Sequence, residues 1–166
     1  MDKTYEKFLR SGMDLAAVGI ECCRENTQYF CTPKGASVFG WAGTDGIHFC
    51  FIRGFGGMIF SVNPMNESQS YVHPLAKDFS DFLRLLLACG NEAALEQAWR
   101  WSREEFEAFL LKNPAAGEGE KTLKELAKAM KLTPMEQPWE YIRKLQSDFD
   151  YSRIKYTEDY YDIDLN

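Results

Sequence analysis

Residues 47–52 have the sequence Ile-His-Phe-Cys-Phe-Ile, and this run decides which fold class the chain can adopt. It is short, rich in aromatic and β-branched residues, and bounded by glycine-containing segments, which is typical of a β-strand. In an extended chain Ile47, Phe49 and Phe51 point to one side, while Cys50 and Ile52 point to the other. Because both sides are apolar, we expect a central strand that is covered on both faces.

Three further runs of the same character flank this strand, at residues 38–41, 58–62 and 70–73. The segments that join the four runs are rich in turn-forming residues and are too short to contain a crossover helix. They span residues 42–46, 53–57 and 63–68. The pattern therefore predicts an antiparallel sheet with its strands in sequential order, that is, a β-meander.

Helical patterns lie on both sides of the predicted sheet. Residues 2–11 place apolar side chains on one face and are followed by Gly12, so they predict a short amphipathic helix. Residues 14–28 are compatible with a further helix, although Gly19 and the β-branched residues disfavour one. The sequence as a whole indicates an α+β fold, with a mostly antiparallel sheet packed against flanking helices.

After Pro74 the pattern predicts only helices. Asp78 is a suitable N-cap for a helix with an apolar stripe, and Gly90 is its expected C-terminal stop. Asn91 begins the next short helix. Ser102 and the residues that follow it form a capping box, which predicts a helix start at that point.

The last third of the chain begins with the best linker, residues 113–119, which contain asparagine, proline and two glycines. We place the boundary there, between an α+β domain at residues 1–112 and a helical extension at residues 113–166 that packs on the same domain. Within the extension, Thr122 begins one capping motif and Thr133 another, the second with Pro134 as first helical residue. No helix or strand is assigned to residues 158–164.

The composition restricts the compartment and the partners. No apolar run approaches the length of a membrane span, and residues 1–7 lack a hydrophobic signal region, so we expect a cytoplasmic protein without membrane contact. The five cysteines include no Cys-x-x-Cys pair and are expected to be reduced thiols. The net charge is −6, and residues 91–166 carry 16 acidic against 11 basic residues. This acidic half makes nucleic acid an unfavourable ligand and favours a basic partner.

The residues that could perform catalysis or bind a metal form no standard pattern. Asp45, His48 and Cys50 are close in sequence, but their spacing fits no usual metal-ligand arrangement, and we expect His48 to have an ordinary hydrogen-bond partner. A Cys50–His48 nucleophile–base pair is disfavoured because alternate residues of a strand lie about 6.6 Å apart. The sequence therefore predicts no catalytic residue, no metal site and no cofactor.

Residues 53–60 have the sequence Arg-Gly-Phe-Gly-Gly-Met-Ile-Phe, and two kinds of site can be considered there. A phosphate-binding loop requires a helix N-terminus behind it, whereas a strand is predicted to follow, so a hairpin turn explains the glycines. The run also partly matches the strand signature of RNA-recognition motifs, with Gly57 where a stacking aromatic residue is expected. RNA or small-molecule binding by the Arg53–Phe60 hairpin stays as the least favoured alternative.

Acidic residues and tyrosines alternate at the end of the chain. This group comprises Glu158, Asp159, Tyr160, Tyr161, Asp162 and Asp164. Aromatic residues beside charges are typical anchors of protein interfaces, so we predict that these residues bind a protein partner. The alternative is that the tail folds back and buries its tyrosines against the helix predicted at residues 134–147, with the acids in solvent.

Two stretches of the chain resemble the SUKH superfamily, which includes fungal Smi/Knr-type cell-wall regulators, the Syd protein and many bacterial toxin-immunity proteins. Residues 40–49 are Gly-Trp-Ala-Gly-Thr-Asp-Gly-Ile-His-Phe, an aromatic strand, a turn and a second strand. Residues 72–83 are Val-His-Pro-Leu-Ala-Lys-Asp-Phe-Ser-Asp-Phe-Leu, a strand that runs into a capped helix. The resemblance covers about half the chain, from residue 36 to residue 90.

The resemblance implies an α+β fold with a mostly antiparallel sheet, and a non-enzymatic role. The expected function is that of an immunity protein that neutralises a toxin by direct binding. The acidic half of the chain then predicts a basic toxin. The alternative that the resemblance leaves open is an intracellular regulatory scaffold of the Smi/Knr type. The sequence does not specify the oligomeric state.

Overall fold

The computed structural model describes residues 1–22, 27–43 and 45–163 of the chain. In chain order its elements are helix α1 (Lys3–Ser11), strands β1 (Ala36–Ala42), β2 (Ile47–Ile52), β3 (Ile59–Val62) and β4 (Val72–Ala76), and helices α2 (Phe79–Cys89), α3 (Glu92–Gln97), α4 (Arg103–Lys112), α5 (Gly117–Met130), α6 (Pro138–Asp148) and α7 (Glu158–Asp162). Three-residue 3₁₀ helices lie at Ala16–Val18 and Tyr151–Arg153.

The four strands form one antiparallel sheet in the order β1-β2-β3-β4, which confirms the predicted meander. β2 pairs with β1 on one side and with β3 on the other, as expected for a central strand. With helices packed against this sheet, the predicted α+β fold class is confirmed.

One face of the sheet is covered by helices and holds the larger apolar core. Phe49 of β2 is fully buried there between Phe39 of β1 and Phe82 of α2, whose ring centroids lie 6.5 and 5.7 Å away. The apolar stripes of α1, α3, α5 and α6 join the same core. Because aromatic side chains bury large apolar areas, this helical face contributes most of the hydrophobic stabilisation.

The opposite side of the sheet, which we call the back face, holds a second apolar core. Cys50 and Ile52 of β2 point to this side together with Phe60 and Val62 of β3. The cover is formed by residues 29–31 and by the chain that follows α6, including Phe149, Ile154, Tyr156 and Tyr160. β2 is therefore buried on both faces, as its sequence predicted.

The segment between α1 and β1 differs from the sequence interpretation that allowed a helix over residues 14–28. Only the 3₁₀ turn at Ala16–Val18 is helical, Gly19 has a φ of 95°, and Glu21 forms an isolated β-bridge with Trp41. A Cβ on Gly19 would collide with the carboxylate of Glu92 in α3. The flexible Glu92 side chain could move aside, so it is the left-handed φ that favours glycine at this turn. Residues 23–26 lie outside the described residues.

β4 continues beyond Pro74, which corrects the expectation that only helices follow this proline. β4 lies at the edge of the sheet, and Pro74 stands next to an irregularity in its register with β3. Proline is tolerated at such a position because its missing N–H removes no bond from the ladder. The carbonyl of Pro74 accepts a hydrogen bond of 3.2 Å from the side-chain amide of Gln146 in α6.

The predicted starts of two helices in the last third were wrong. α5 begins at Gly117 instead of Thr122, with Glu118 and Glu120 in a first turn where the helix dipole favours acidic residues. α6 begins at Pro138 instead of Pro134. The backbone N–H of Met135 donates to the carbonyl of Arg84 (3.0 Å), and this contact with α2 keeps the segment around Pro134 out of a helix.

α5 and α6 share the core of the helical face with α2, through buried residues such as Leu126 and Ile142. The division of the chain into a domain at residues 1–112 and an extension at residues 113–166 stays a prediction. Within the described ranges, no helix is long and apolar enough to cross a membrane.

Candidate functional site

His48 and Cys50, the residues considered for chemistry, are buried in the sheet. The Nδ1–H of His48 donates to the carbonyl of Gly46 (2.8 Å), and its Nε2 accepts from the hydroxyl of Thr32 (3.2 Å), so His48 has the ordinary partners that were predicted. Burial lowers the pKa of His48, and the bond to Gly46 only partly opposes this effect. Burial also raises the pKa of Cys50 to about 12, which makes this thiol a poor nucleophile.

A metal site is not formed by the side chains that the structure describes. In those parts of the chain no group of three or more histidine, cysteine, aspartate or glutamate side chains could hold an ion. Asp45, considered as a ligand with His48 and Cys50, is exposed, whereas the other two are buried.

The Arg53–Phe60 hairpin uses its aromatic residues within the fold. The ring of Phe60 is fully buried, and Phe55 packs edge-on against it with centroids 5.3 Å apart. The guanidinium of Arg153 lies 4.5 Å from the centre of the Phe55 ring and donates to the carbonyl of Gly54. Base stacking on this hairpin would require displacement of the C-terminal segment, so the geometry disfavours the RNA alternative.

The glycine-rich turn of this hairpin does have helix N-termini behind it, contrary to the expectation from the sequence. They belong to α1 and α2, and they meet beside Gly57 at a cleft of about 550 Å³. Each N-terminus is already capped by a carboxylate. Asp2 accepts from the N–H groups of Thr4 and Tyr5, and Asp78 accepts from that of Asp81. Because these carboxylates occupy the anion positions, the turn cannot bind phosphate in this arrangement.

The predicted partner-binding residues lie on and around α7, at the border of the back face. We call the acid–tyrosine surface the set formed by Tyr71, Tyr156, Glu158, Asp159, Tyr160, Tyr161 and Asp162. At its centre the rings of Tyr156 and Tyr160 are stacked, with centroids 3.8 Å apart and an interplanar angle of 9°. Tyr71, which immediately precedes β4, contacts Tyr160 edge-on at 6.1 Å, and Tyr161 does so at 5.3 Å.

Burial within the acid–tyrosine surface decreases outward from the sheet. Tyr71, Tyr156 and Tyr160 are half-buried, whereas 55% of Tyr161 is exposed. Burial, with a smaller contribution from Tyr160, raises the pKa of Tyr156 well above its usual range, so this phenol stays neutral. Tyr161 is therefore an aromatic ring in solvent that rests on a neutral, partly buried stack.

The acidic side chains of the acid–tyrosine surface are free of basic partners in the described part of the chain. Glu158, Asp159 and Asp162 are exposed, and none of them forms an ion pair with a described lysine or arginine. Asp164, the remaining predicted residue, lies outside the described residues. The surface thus combines three uncompensated negative charges with an exposed ring.

α7 has only five residues, too few for a helix that is stable by itself. It is held by Tyr160, which packs on Tyr156 and Tyr71, and its first turn places Glu158 and Asp159 where the helix dipole favours acids. The tail therefore folds back against the back face of the sheet. The sequence alternative had placed it against the helix that corresponds to α6. Only one of its two tyrosines is turned inward.

Two members of the acid–tyrosine surface were missed by the sequence reasoning. Tyr156 precedes Tyr160 by four residues, a spacing that could have suggested a contact between them. Tyr71 gave no such signal, because it is 89 residues away from Tyr160 and only the folded chain brings the two rings together.

Comparison of this chain with known proteins gave no match among protein-family models, curated proteins or solved structures. The SUKH resemblance therefore stays a prediction that rests on residues 40–49 and 72–83.

Proposed function

We propose that this chain is a non-enzymatic protein-binding module that uses the acid–tyrosine surface to bind a basic toxin and neutralise it. The observation that carries the proposal is the position of Tyr161. Its exposed ring rests on Tyr160, which is itself stacked on Tyr156 and contacts Tyr71 next to β4. Such a ring loses little freedom on binding and can act as an interface anchor.

The charge around Tyr161 determines the chemistry of the partner. An arginine side chain can stack on the exposed ring, which contributes about 0.5–1 kcal/mol at an open site. The same guanidinium can form a bidentate pair with a carboxylate of Glu158, Asp159 or Asp162. The acidic second half of the chain would in addition steer a basic protein toward this side.

The chemistry of the described side chains supports a role in binding. The histidine and cysteine of β2 are buried and neutral, and the carboxylates of α7 are exposed, whereas acid–base work requires partly desolvated groups. Neutralisation of a toxin requires only that a complementary surface covers it. The SUKH resemblance favours the same class of function.

The test begins with the full chain as bait in a lysate of the cells that express it, followed by mass spectrometry of the captured proteins. A basic partner that is toxic on expression, and harmless when this chain is co-expressed, is the expected result. An endogenous partner without toxicity would contradict the proposal that the partner is a toxin and would favour the regulatory scaffold.

Surface-plasmon kinetics with the captured partner then test the acid–tyrosine surface. Replacement of its acids by Glu158→Gln, Asp159→Asn and Asp162→Asn should slow association and reduce its salt dependence. The matched control neutralises three exposed acids elsewhere, by Glu118→Gln, Glu125→Gln and Glu136→Gln. Equal association rates for the two triple variants would show that binding occurs on another surface.

A further inference from the structure

A second cleft, of about 400 Å³, lies between α6, the beginning of β4 and the segment that follows α3. The side chains that give it its chemistry are His73, Trp99, Trp139, Arg143, Ser147 and Tyr151. We call it the Trp–Arg cleft. It shares no residue with the acid–tyrosine surface, so a ligand of this cleft would not depend on the proposed function.

Among the described residues that line the Trp–Arg cleft, Arg143 alone has a charged side chain. Its Nη1 donates to the carbonyls of Trp101 (2.9 Å) and Ala98 (3.4 Å), and its guanidinium carbon lies 5.2 Å from the centre of the Trp139 ring. Within the described residues it forms no ion pair, and its Nη2 and Nε donate no hydrogen bond. A half-buried cation without a counterion, in a chain of net charge −6, indicates a place for an anion.

Aromatic rings form the walls of the cleft. Trp99 is stacked on His73, with centroids 4.6 Å apart and an interplanar angle of 12°, and Tyr151 meets His73 edge-on at 5.7 Å. The indole nitrogen of Trp99 is buried and has no acceptor among the described residues. A buried N–H without an acceptor is uncommon in folded proteins, so the indole N–H of Trp99 is an unsatisfied donor in the wall of the cleft.

His73 does not compete with Arg143 for an anion. Its Nε2–H donates to the carbonyl of Ser70 (3.0 Å), and its Nδ1 accepts from the hydroxyl of Tyr151 (3.0 Å). Both ring nitrogens are therefore used, and burial lowers the pKa of His73 to about 4, so the ring is neutral at physiological pH. The hydrogen bond between His73 and Tyr151 positions the tyrosine. Because His73 is neutral, the guanidinium of Arg143 is the positive charge among the described residues that line the cleft.

We propose that the Trp–Arg cleft binds a small planar aromatic anion, with its carboxylate or phosphate on Arg143 and its ring against the indoles. The volume of the cleft is within the range of small-molecule sites, about 300–1,000 Å³. One cation matches one anionic group. A polyanion such as RNA would be repelled by the acidic second half of the chain.

Isothermal titration of the full chain with two probes tests the proposal. Adenosine 5′-monophosphate supplies a phosphate and indole-3-carboxylate supplies a carboxylate, and adenosine and indole are their uncharged counterparts. At least one anionic probe should bind about tenfold more tightly than its counterpart, and which one does so identifies the preferred anion. If neither does so at concentrations up to about 5 mM, the range of weak ligand affinities, the proposal is wrong.

A substitution on α6 tests whether the binding is at Arg143. Ser147 is exposed, lines the cleft and follows Arg143 by four residues, so Ser147→Asp would supply the missing counterion as an (i, i+4) pair. Ser147→Asn, similar in shape and uncharged, is the matched control. The Asp variant should lose affinity for the anionic probe by about tenfold, while the Asn variant keeps it.

Both Ser147 variants change one solvent-exposed side chain and should fold, which circular dichroism would check. Arg143→Gln is the second line of evidence, with Arg100→Gln, an exposed arginine on the neighbouring segment, as its control. Equal affinity of the Ser147→Asp and Ser147→Asn proteins would overturn the assignment of the anion site to Arg143.

Discussion

The two faces of the sheet are covered in different ways. On the helical face, Phe39, Phe49 and Phe82 are buried beneath the apolar stripes of regular helices. On the back face, the cover consists of short irregular segments, and the rings of Phe149 and Tyr160 stay half-exposed. Phe149 packs on Phe60, and Tyr160 packs on Tyr156. The difference predicts that the fold depends mainly on the helical face, whereas the proposed partner surface lies at the border of the back face.

The largest effect that this comparison predicts is a loss of folding stability when a ring is removed from the core of the helical face. Phe82→Ala should lower the free energy of unfolding by about 3–5 kcal/mol, because the fully buried ring leaves a cavity between α2 and the sheet. Phe149→Ala removes a ring of the same size from the back face, where it is half-buried against Phe55 and Phe60, and should cost about 1–2 kcal/mol. Urea unfolding of both variants measures the difference. Equal losses would mean that the back face is as much a part of the fold as the helical face.

The second effect is a dependence of stability on pH that originates at His73 in the edge strand β4. Burial lowers the pKa of His73 to about 4, below the value of about 6.5 in an unfolded chain. The unfolded state therefore binds the proton first, so stability is full above pH 6.5 and falls as the pH drops toward 4. The loss could reach about 3 kcal/mol below pH 4 if His73 acted alone.

His73→Gln is the variant that isolates this effect, since glutamine keeps a polar side chain but does not titrate. The urea midpoints of both proteins at pH 7 and pH 4.5 give the slope with pH, and the slope should be smaller for the variant. His48, whose pKa is also lowered, leaves a residual dependence in both proteins. Identical slopes would show that His73 is not held neutral by the fold.

The elements that the sequence predicted correctly are those fixed by local chemistry. Asp78 and Gly90 bound α2 as expected, and the capping box at Ser102 is formed, with both of its hydrogen bonds to Glu105 present. The alternation of Cys50 and its neighbours on β2 predicted a strand that is covered twice. The limits of α2 and the capping box are decided by contacts within a few residues, and the strand by the two-residue period of its side chains.

The elements that could not be predicted are decided by distant contacts. Pro134 and Pro138 offer similar helix starts, and the hydrogen bond from Met135 to Arg84 of α2 decides between them. The candidate sites divide in the same way. The acids of α7 form a visible cluster in the sequence, whereas the contact of His73 with Tyr151 spans 78 residues and has no signature in the chain.

A smaller effect distinguishes the two tyrosines of α7. Tyr160→Ala should remove the contact that holds this helix on the back face and lower the protection of residues 157–163 from hydrogen exchange, a local loss of about 1–2 kcal/mol. Tyr160→Phe keeps the ring stack and is the control. Unchanged protection in the Ala variant would mean that another contact holds α7.

The smallest effect on stability is expected at Tyr161. Its ring is 55% exposed and touches Tyr160 by one edge, so Tyr161→Ala should change the free energy of unfolding by less than about 0.5 kcal/mol, which is usual for surface positions. In a complex, however, an anchor that contributes about 1.4 kcal/mol would speed dissociation tenfold when it is removed. Urea unfolding and plasmon kinetics on the same protein separate these quantities. If the Ala variant were as unstable as Tyr160→Ala while its dissociation rate stayed unchanged, Tyr161 would belong to the packed back face and not to the binding surface.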